Sequence, residues 1–187
     1  MMAGMLVTIS GVPGSGKTTV ATLLASRLGV PHVYAGDLYR REAKRRGLTL
    51  GEFNRLCERD HTIDRKLDAA MAERARQGNC ILEGRLAGYL AAEDGLDALK
   101  VWLTASDEVR ARRVAQRESG DWRQIEKENQ ARHTSDGKRY RQIYGFDLSD
   151  TRVYDLVMSS DDRTPEQLVS VLVEHVRERF PQAEPAP

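Results

Sequence analysis

The sequence predicts a three-layer α/β protein with a parallel sheet at its centre. Short apolar runs alternate with stretches of helical periodicity, and the first run leads through a glycine-rich loop into a helix. The chain has 187 residues, the size of one domain. A chain of this length buries roughly 70% of the surface that its unfolded form exposes, so folding requires neither a disulfide nor a metal.

Five apolar runs are predicted to form the strands. The run at 6–9 is typical of a buried strand, and a weaker run covers residues 32–34. Three further runs lie at 80–83, 99–103 and 156–158. Because helical segments separate these runs, the strands are expected to be parallel.

Stop and cap signals predict the first three helices. The helix after the glycine-rich loop ends at Gly29, and Asp37 can cap a second helix. Thr49 and Glu52 form a capping box for the third, in which each side chain accepts a hydrogen bond from a free N–H of the first turn.

The later helices carry similar signals. Apolar residues recur at helical spacing from 63 to 75, and the pattern stops at Gly78. Ser106, followed by two acidic residues, is a good helix start. Thr164 can cap the last helix, with a proline at the first helical position and Gln167 completing a capping box.

Residues 119–138 are predicted to form a mobile flap. They are the least apolar stretch of comparable length, with charges of both signs and only Trp122 and Ile125 as large hydrophobic residues. Residues 181–187 are predicted to be disordered. No repeat or linker divides the rest, so a single domain over residues 1–180 is expected.

Charge and composition exclude several classes of protein. Lys and Arg number 29 against 28 Asp and Glu, a formal net charge of +1, whereas a nucleic-acid scaffold normally has a strong basic excess. No run approaches the ~20 apolar residues of a membrane span, and no signal peptide is indicated. Cys57 and Cys80 lie far apart, and the four histidines show no ligand spacing. The expected protein is soluble and cytoplasmic, without a zinc site or a disulfide framework.

The glycine-rich loop carries the most specific motif. Residues 11–18 read Gly-Val-Pro-Gly-Ser-Gly-Lys-Thr and fit G-x-x-x-x-G-K-[ST] without deviation. Glycines let successive backbone N–H groups surround an anion, and the helix N-terminus adds positive potential. Lys17 can reach the β- and γ-phosphates of ATP or GTP, and the Thr18 hydroxyl can ligate Mg²⁺. The predicted nucleotide-binding residues are Gly11, Val12, Pro13, Gly14, Ser15, Gly16, Lys17, Thr18 and Thr19.

Three further residues extend the predicted site, one for a metal ion and two for a second phosphate. Glu83, at the end of an apolar run, can hold Mg²⁺ as the partner of Thr18, although such a residue can also serve in a salt bridge. Arg85 lies beside it, at the edge of the sheet where ligands of open α/β sheets bind. Arg40 lies one turn inside the second helix. We expect Arg40 and Arg85 to bind an acceptor phosphate from two sides, with each planar guanidinium donating to two phosphate oxygens.

Further arginines lie near and across the flap. Arg110, Arg113 and Arg117 share one helix face, where like charges repel unless an anion lies between them, and Arg132 and Arg139 follow. A closing flap that brings these residues over the β- and γ-phosphates would supply that anion and expel water. Each of them could instead pair with a nearby glutamate.

A phosphate acceptor requires no general base, and no Asp or His stands out as one. The second pKa of a phosphate monoester lies near 6, so the acceptor is already a dianion at neutral pH. Catalysis then consists of holding two repelling anions in line while cations absorb the charge.

Several motifs together resemble those of nucleoside monophosphate kinases, most closely the short, archaeal-type cytidylate kinases. Besides the phosphate loop, the motifs are Ala-Gly-Asp-Leu-Tyr-Arg at 35–40, Leu-Glu-Gly-Arg-Leu-Ala-Gly at 82–88, Trp-Leu-Thr-Ala at 102–105, Lys-Arg-Tyr at 138–140 and Ile-Tyr-Gly at 143–145. The resemblance extends over nearly the whole chain. One segment departs from the family: residues 133–137 carry fewer charges than the corresponding lid segment of those kinases.

The resemblance implies a P-loop NTPase fold with a five-stranded parallel sheet. The implied parts are a core (5–36, 79–117 and 139–180), a helical monophosphate-binding insertion (37–78) and a lid (118–138). It also implies transfer of the γ-phosphate of ATP to CMP or dCMP, with Mg²⁺ held by Thr18 and Glu83. A monomer that binds nucleotides, and neither nucleic acid nor membrane, is expected.

The resemblance also implies roles for individual residues. The catalytic residues would be Lys17, Arg113, Arg117, Arg132 and Arg139, which hold the ATP phosphates. The acceptor-binding residues would be Gly36, Asp37, Arg40, Gly84 and Arg85. The preference for cytosine follows from the resemblance alone, although polar residues of the insertion could hydrogen-bond a pyrimidine, namely Asn54, Asp60, Asp64, Arg65 and Asp68.

Other functions stay open on the residues alone. One is that of an adenylate kinase or another small-molecule kinase of the P-loop class. Another is that of a P-loop regulatory ATPase, although Arg40 and Arg85 count against it because a switch has no second anion to hold. Nucleic-acid binding is a distant third.

Overall fold

The computed structural model of the chain describes residues 4–118 and 120–182. The side chains of residues 117 and 118 lie outside that part, as does most of the tail that was predicted to be disordered. No helix among the described residues is both long and apolar enough to cross a membrane.

All five predicted strands are confirmed, and they form one parallel sheet. In chain order they are β1 (Leu6–Gly11), β2 (His32–Tyr34), β3 (Cys80–Glu83), β4 (Leu99–Thr104) and β5 (Leu156–Ser159). The spatial order is β2-β3-β1-β4-β5, with β1 in the middle. Ile9 of β1 is in register with Glu83 of β3, and Gly11 is in register with Leu103 of β4. The carboxyl ends of the three central strands therefore meet at one edge.

Eight helices lie within the described residues. They are α1 (Lys17–Leu28), α2 (Ala35–Arg45), α3 (Leu50–Arg59), α4 (His61–Arg76), α5 (Ala87–Glu93), α6 (Asp107–Glu118), α7 (Trp122–Tyr144) and α8 (Pro165–Arg179). Both predicted capping boxes are present, with Thr49 and Glu52 at the start of α3 and Thr164 and Gln167 at the start of α8.

The core has two apolar layers, one on each face of the sheet. Val7 and Ile9 of β1 pack on one face with Leu24 of α1 and Leu172 of α8. On the other face, Leu6 and Leu82 pack against Met71 of α4 and Ala91 of α5. Since neighbouring residues of a strand point to opposite faces, the apolar run at 6–9 is buried on both sides. This confirms the three-layer architecture.

Helices α2, α3 and α4 overlap the predicted insertion at 37–78 and form a small core of their own. Phe53 is fully buried there with Ala43, Cys57 and Ile63. The prediction that Asp37 caps α2 was wrong. The helix begins at Ala35, directly after β2, so Asp37 lies in its first turn.

The predicted flap is largely helical. Helix α7 runs without interruption over 23 residues, from the flap into the region next to the core. Asp121 caps its start through the N–H of Arg123, and Gly145 ends it with a left-handed φ of 67°. Arg, Gln, Glu and Lys are good helix formers, so a stretch poor in apolar residues can still be helical. The short helix α5 was also absent from the sequence-based prediction.

Candidate active site

A cavity of about 650 Å³ opens at the carboxyl edge of the sheet. The phosphate loop, the start of α2, the end of β3, and helices α3, α4, α6 and α7 line it. The cavity is lined by many of the predicted site residues, namely Pro13, Gly14, Lys17, Thr18, Gly36, Arg40, Glu83, Gly84, Arg85, Arg132 and Arg139. The predicted residues with described side chains that do not line it are Gly11, Val12, Ser15, Gly16, Thr19, Asp37 and Arg113.

The backbone of the phosphate loop requires its glycines. Gly14 and Gly16 have φ values of 78° and 85°, a region that residues with a Cβ rarely adopt. At Gly11, an added Cβ would lie 2.0 Å from the carbonyl oxygen of Leu103. The loop therefore keeps this shape only with glycine at these positions.

Lys17 is half-buried and lines the cavity. Its Nζ donates a hydrogen bond to the carbonyl oxygen of Val12 at 2.7 Å, so the side chain lies along the loop. Burial and, to a smaller extent, the positive charge of Arg85 lower the pKa of Lys17 to about 7, while the carboxylate of Glu83 opposes the shift. An anion bound in the loop would favour the charged form of the amine.

We expect ATP binding to be coupled to proton uptake by Lys17. At pH 8, above its pKa of about 7, the amine is mostly neutral in the free protein, and the added phosphates raise that pKa. Binding at pH 8 should then take up close to one proton per ATP, and binding at pH 6 should take up far less. Calorimetry in buffers of different ionisation enthalpy measures this uptake. Equal uptake by wild type and Lys17→Ala would contradict the assignment.

Thr18, Glu83 and His32 form a connected group beside the loop. The Thr18 hydroxyl donates to Glu83 Oε1 at 2.8 Å, and His32 Nε2 lies 2.9 Å from Glu83 Oε2. The Glu83 side chain is fully buried. A carboxylate and a hydroxyl are oxygen ligands of the kind that Mg²⁺ prefers, so these residues fit the predicted metal site. Sequence reasoning missed His32, whose place next to β3 depends on the strand order.

Arg85 belongs to a buried network with α7. It pairs with Asp136, which also binds Arg139 at 2.8 Å, and Arg139 Nε lies 3.0 Å from Asp64 Oδ2. Burial lowers the pKa of Arg85, and Asp136 opposes that shift. The result is two arginine forks held side by side in the cavity wall. Sequence reasoning missed Asp136 as the residue that joins them.

Arg40 lies at the rim of the cavity. About half of its side chain is exposed, it pairs with Asp37 at 2.5 Å, and its guanidinium lies 4.9 Å from the centre of the Tyr34 ring. Asp37 therefore holds Arg40 rather than lining the cavity itself. The structure brings Arg40 and Arg85 to the same cavity, and Asp136 joins Arg85 to Arg139 rather than to Arg40.

Arg113 supports the phosphate loop from behind. It donates to the Ser160 hydroxyl at 2.8 Å and to the Ser160 carbonyl oxygen at 2.7 Å. Ser160 in turn donates to the carbonyl oxygen of Ser15 at 2.9 Å. Arg110 plays a similar part through the carbonyl oxygen of Pro13. The side chain of Arg117 lies outside the described residues.

The end of the cavity near the insertion is lined by polar and apolar side chains. Asp68 of α4 accepts a hydrogen bond from the Tyr144 hydroxyl of α7 at 2.8 Å. Asn54 of α3 accepts one from the Tyr39 hydroxyl at 2.5 Å. Of the insertion residues that could hydrogen-bond a pyrimidine, Asn54, Asp64 and Asp68 line the cavity.

Solved structures similar to this chain include two kinases. A gluconokinase from Sinorhizobium meliloti 1021 matches with a TM-score of 0.61 at 17% identity, over 97% of this chain and 98% of that one. A shikimate kinase from Acinetobacter baumannii in complex with shikimate matches with a TM-score of 0.59 at 15% identity, over 95% of each chain. At these identities the similarity concerns the fold, which is that of P-loop kinases.

Comparison with protein families and curated sequences identifies closer relatives. A cytidylate kinase from Methanopyrus kandleri is 42% identical over 175 residues, which cover 90% of this chain and 91% of the relative. A cytidylate kinase from Halobacterium salinarum is 43% identical over 173 residues, which cover 92% and 89%. The profile of the cytidylate kinase-like family matches residues 6–162. On this evidence, the chain belongs to the cytidylate kinase-like family.

Proposed function

We propose that this protein transfers the γ-phosphoryl group of ATP to CMP or dCMP, giving ADP and the corresponding diphosphate. The observation that supports this most directly is the arrangement of cations in one cavity. Lys17 lies in the phosphate loop, and Arg85 and Arg139, joined by Asp136, line the same cavity. One triphosphate would occupy the loop, and the arginine pair suits a second anion.

The donor phosphates would bind to the loop and to Lys17. Backbone N–H groups at the start of α1 surround the β-phosphate, and Lys17 leaves the Val12 carbonyl to contact the β- and γ-phosphates. Arg132 of α7, which lines the same cavity, adds positive charge on the open side. Arg113 would act indirectly, because its contact with Ser160 supports the loop.

Thr18 and Glu83 would hold Mg²⁺ beside the donor phosphates. Such an ion, when bound, neutralises the charge that develops as the γ-phosphoryl group is transferred. His32 keeps the Glu83 carboxylate in one orientation through its contact with Oε2.

The acceptor phosphate would bind to Arg85 and Arg139, with Arg40 closing the site from the rim. This changes the role that the resemblance implies for Arg139, which was to hold the ATP phosphates, because Asp136 joins Arg139 to Arg85. Each guanidinium presents a planar fork that matches two phosphate oxygens. Asp136 keeps the two forks adjacent and compensates their burial, so they are oriented before the acceptor binds. The acceptor dianion needs no general base. Transfer then depends on in-line positioning and on charge stabilisation.

We further propose that a monomer performs this reaction in the cytoplasm. All residues assigned above come from one chain, so the site needs no second copy. Cys57 and Cys80 are both free and buried thiols, which suits a reducing compartment.

A panel of acceptors tests the proposed function. With ATP and Mg²⁺, a coupled assay should detect diphosphate formation from CMP and dCMP, with lower kcat/KM for UMP and AMP and none from shikimate. Omitting Mg²⁺ should stop the reaction. If none of the four monophosphates is phosphorylated, the proposed function is wrong. Slow ATP hydrolysis that no monophosphate affects would instead favour a regulatory ATPase.

A further inference from the structure

The proposed transfer leaves one half-buried carboxylate of the cavity without a role. Asp68 lines the cavity, and Oδ2 accepts the Tyr144 hydroxyl at 2.8 Å. Among the residues that the structure describes, none forms an ion pair with Asp68 and none donates to its Oδ1. Burial raises the pKa of Asp68 to about 7, against the lowering effect of the Tyr144 hydrogen bond. Holding such a carboxylate without a cation costs stability, and a ligand contact would offset that cost.

The other acidic residues of the cavity wall already have partners. Glu83 contacts Thr18 and His32, and the exposed Glu128 accepts a hydrogen bond from Gln124. Asp136 binds Arg85 and Arg139, and Asp64 pairs with Arg139 at 3.0 Å. Both therefore belong to the network that would hold the acceptor phosphate. Asp68 differs because its second oxygen is available to a ligand.

The position of Asp68 suits the base of the acceptor rather than its phosphate. Asp68 follows Asp64 by four residues on α4, which is about one turn or ~6 Å along the helix. It lies on the same helix face as Asp64, which contacts the phosphate network, but one turn further along. The sugar of a nucleotide separates phosphate and base by a comparable length. Leu67 and Met71 line the cavity beside Asp68 and offer apolar surface for a ring.

The available oxygen of Asp68 can distinguish two kinds of pyrimidine. Cytosine and uracil share the carbonyl at position 2, but at position 4 cytosine has an amino group and uracil has a carbonyl oxygen. A hydrogen-bond donor on the ligand favours the ionised form of Asp68. In that form the carboxylate only accepts hydrogen bonds, so its oxygen attracts the amino group and repels the carbonyl oxygen. A contact at position 4 therefore favours the amino-bearing base.

We propose that Asp68, positioned by Tyr144, accepts a hydrogen bond from the 4-amino group of the acceptor's cytosine and thereby selects cytidine over uridine monophosphates. This inference rests on the proposed function and names the residue that determines its base specificity. Asp68 contacts the substrate, whereas Tyr144 acts through Asp68 and is a positioning residue.

Asp68→Asn is the first test. Tyr144 would donate to the amide oxygen of the substituted residue, so the amide NH₂ would face the base. Two hydrogen-bond donors, this NH₂ and the 4-amino group of cytosine, would then oppose each other. We expect kcat/KM for CMP to fall about 10- to 100-fold, the loss of a buried hydrogen bond to a charged group. We expect kcat/KM for UMP to stay the same or rise and the KM for ATP to stay unchanged. Glu73→Gln, at an exposed acidic residue of the same helix, is the matched control and should keep the wild-type ratio.

A nucleotide without the 4-amino group gives a second, independent readout. The probe is 2-pyrimidinone ribonucleoside monophosphate, which retains the ring and the carbonyl at position 2. Wild type should use it 10- to 100-fold less efficiently than CMP, and Asp68→Asn should use the two within roughly three-fold of each other. Tyr144→Phe keeps the carboxylate but removes its partner, and should lower the CMP-to-UMP ratio by less than Asp68→Asn does.

The possible outcomes separate this inference from the proposed function. If wild type phosphorylates neither CMP nor UMP, the proposed function fails, and the inference fails with it. If wild type prefers CMP while Asp68→Asn keeps both the wild-type ratio and the wild-type response to the probe, only the inference is overturned. If Asp68→Asn misfolds and no longer binds ATP, the wild-type protein provides the test by itself. Equal kcat/KM of wild type for CMP and for the 2-pyrimidinone nucleotide would overturn the inference.

Discussion

Lys17→Ala is expected to reduce kcat by about 10²- to 10³-fold, the scale set by removing one preorganised donor from a transition state. The side chain is half-buried, and the charged groups that act on it most are Glu83, Arg85, Arg110 and Arg132, with no lysine among them. Charge that develops on the γ-phosphoryl group would then lack its nearest cation on the loop side. Steady-state kinetics with ATP and CMP measure the loss, and a thermal unfolding curve shows whether the variant folds.

The matched control for this variant is Lys44→Ala. Lys44 lies on the exposed side of α2, among residues typical of a solvated helix face. Its removal should change kcat by less than two-fold, since exposed charges contribute little. Equal losses in the two variants would mean that general charge, rather than the placement of Lys17, supports the reaction.

Arg85→Ala should lower kcat/KM for the acceptor about 10²- to 10³-fold while the Kd for ATP changes little. The substitution removes charge-assisted hydrogen bonds to the acceptor phosphate. It also leaves the buried Asp136 carboxylate with Arg139 as its remaining partner. The less compensated negative charge of Asp136 would then repel the acceptor phosphate. Kinetics with CMP varied at saturating ATP, together with direct titration of ATP, separate the two effects.

Arg45→Ala is the control for the acceptor site. Arg45 is exposed on α2 and pairs with Glu42, so it belongs to the insertion but not to the cavity. We expect nearly wild-type kinetics from it. If Arg85→Ala weakens ATP and acceptor equally, Arg85 does not belong to an acceptor site.

The fold was largely predictable because its signals are local. The capping boxes at Thr49 and Thr164 each use residues three apart, and the structure has both. Alternation of apolar runs with helices identified every strand of the sheet. The main element missing from the sequence-based prediction was helix α7, which covers most of the predicted flap. Low hydrophobicity indicates exposure, but it does not exclude a helix, and α7 buries only a few residues, among them Ile125 and Arg139.

The interactions that shape the candidate site join residues far apart in the chain. Thr18 and Glu83 are 65 positions apart, His32 and Glu83 are 51 apart, and Tyr144 and Asp68 are 76 apart. The sequence indicated Thr18 and Glu83 as partners because both belong to motifs. It offered no such signal for His32, and the Ile-Tyr-Gly motif that contains Tyr144 did not indicate Asp68 as its partner. Both contacts depend on which strands and helices become neighbours.

From its sequence alone, this protein can be recognised as a parallel α/β chain with a phosphate loop and with arginines suited to a second phosphate. Glycine geometry, capping and apolar periodicity act over a few residues, so the order of amino acids suffices to predict them. Only the tertiary structure decided that Arg113 turns to Ser160, that Asp136 joins Arg85 to Arg139, and that Asp68 keeps an oxygen for a ligand. The physical reason is burial. A charged side chain taken out of water must find a partner, and the packing of distant elements determines which partners are within reach.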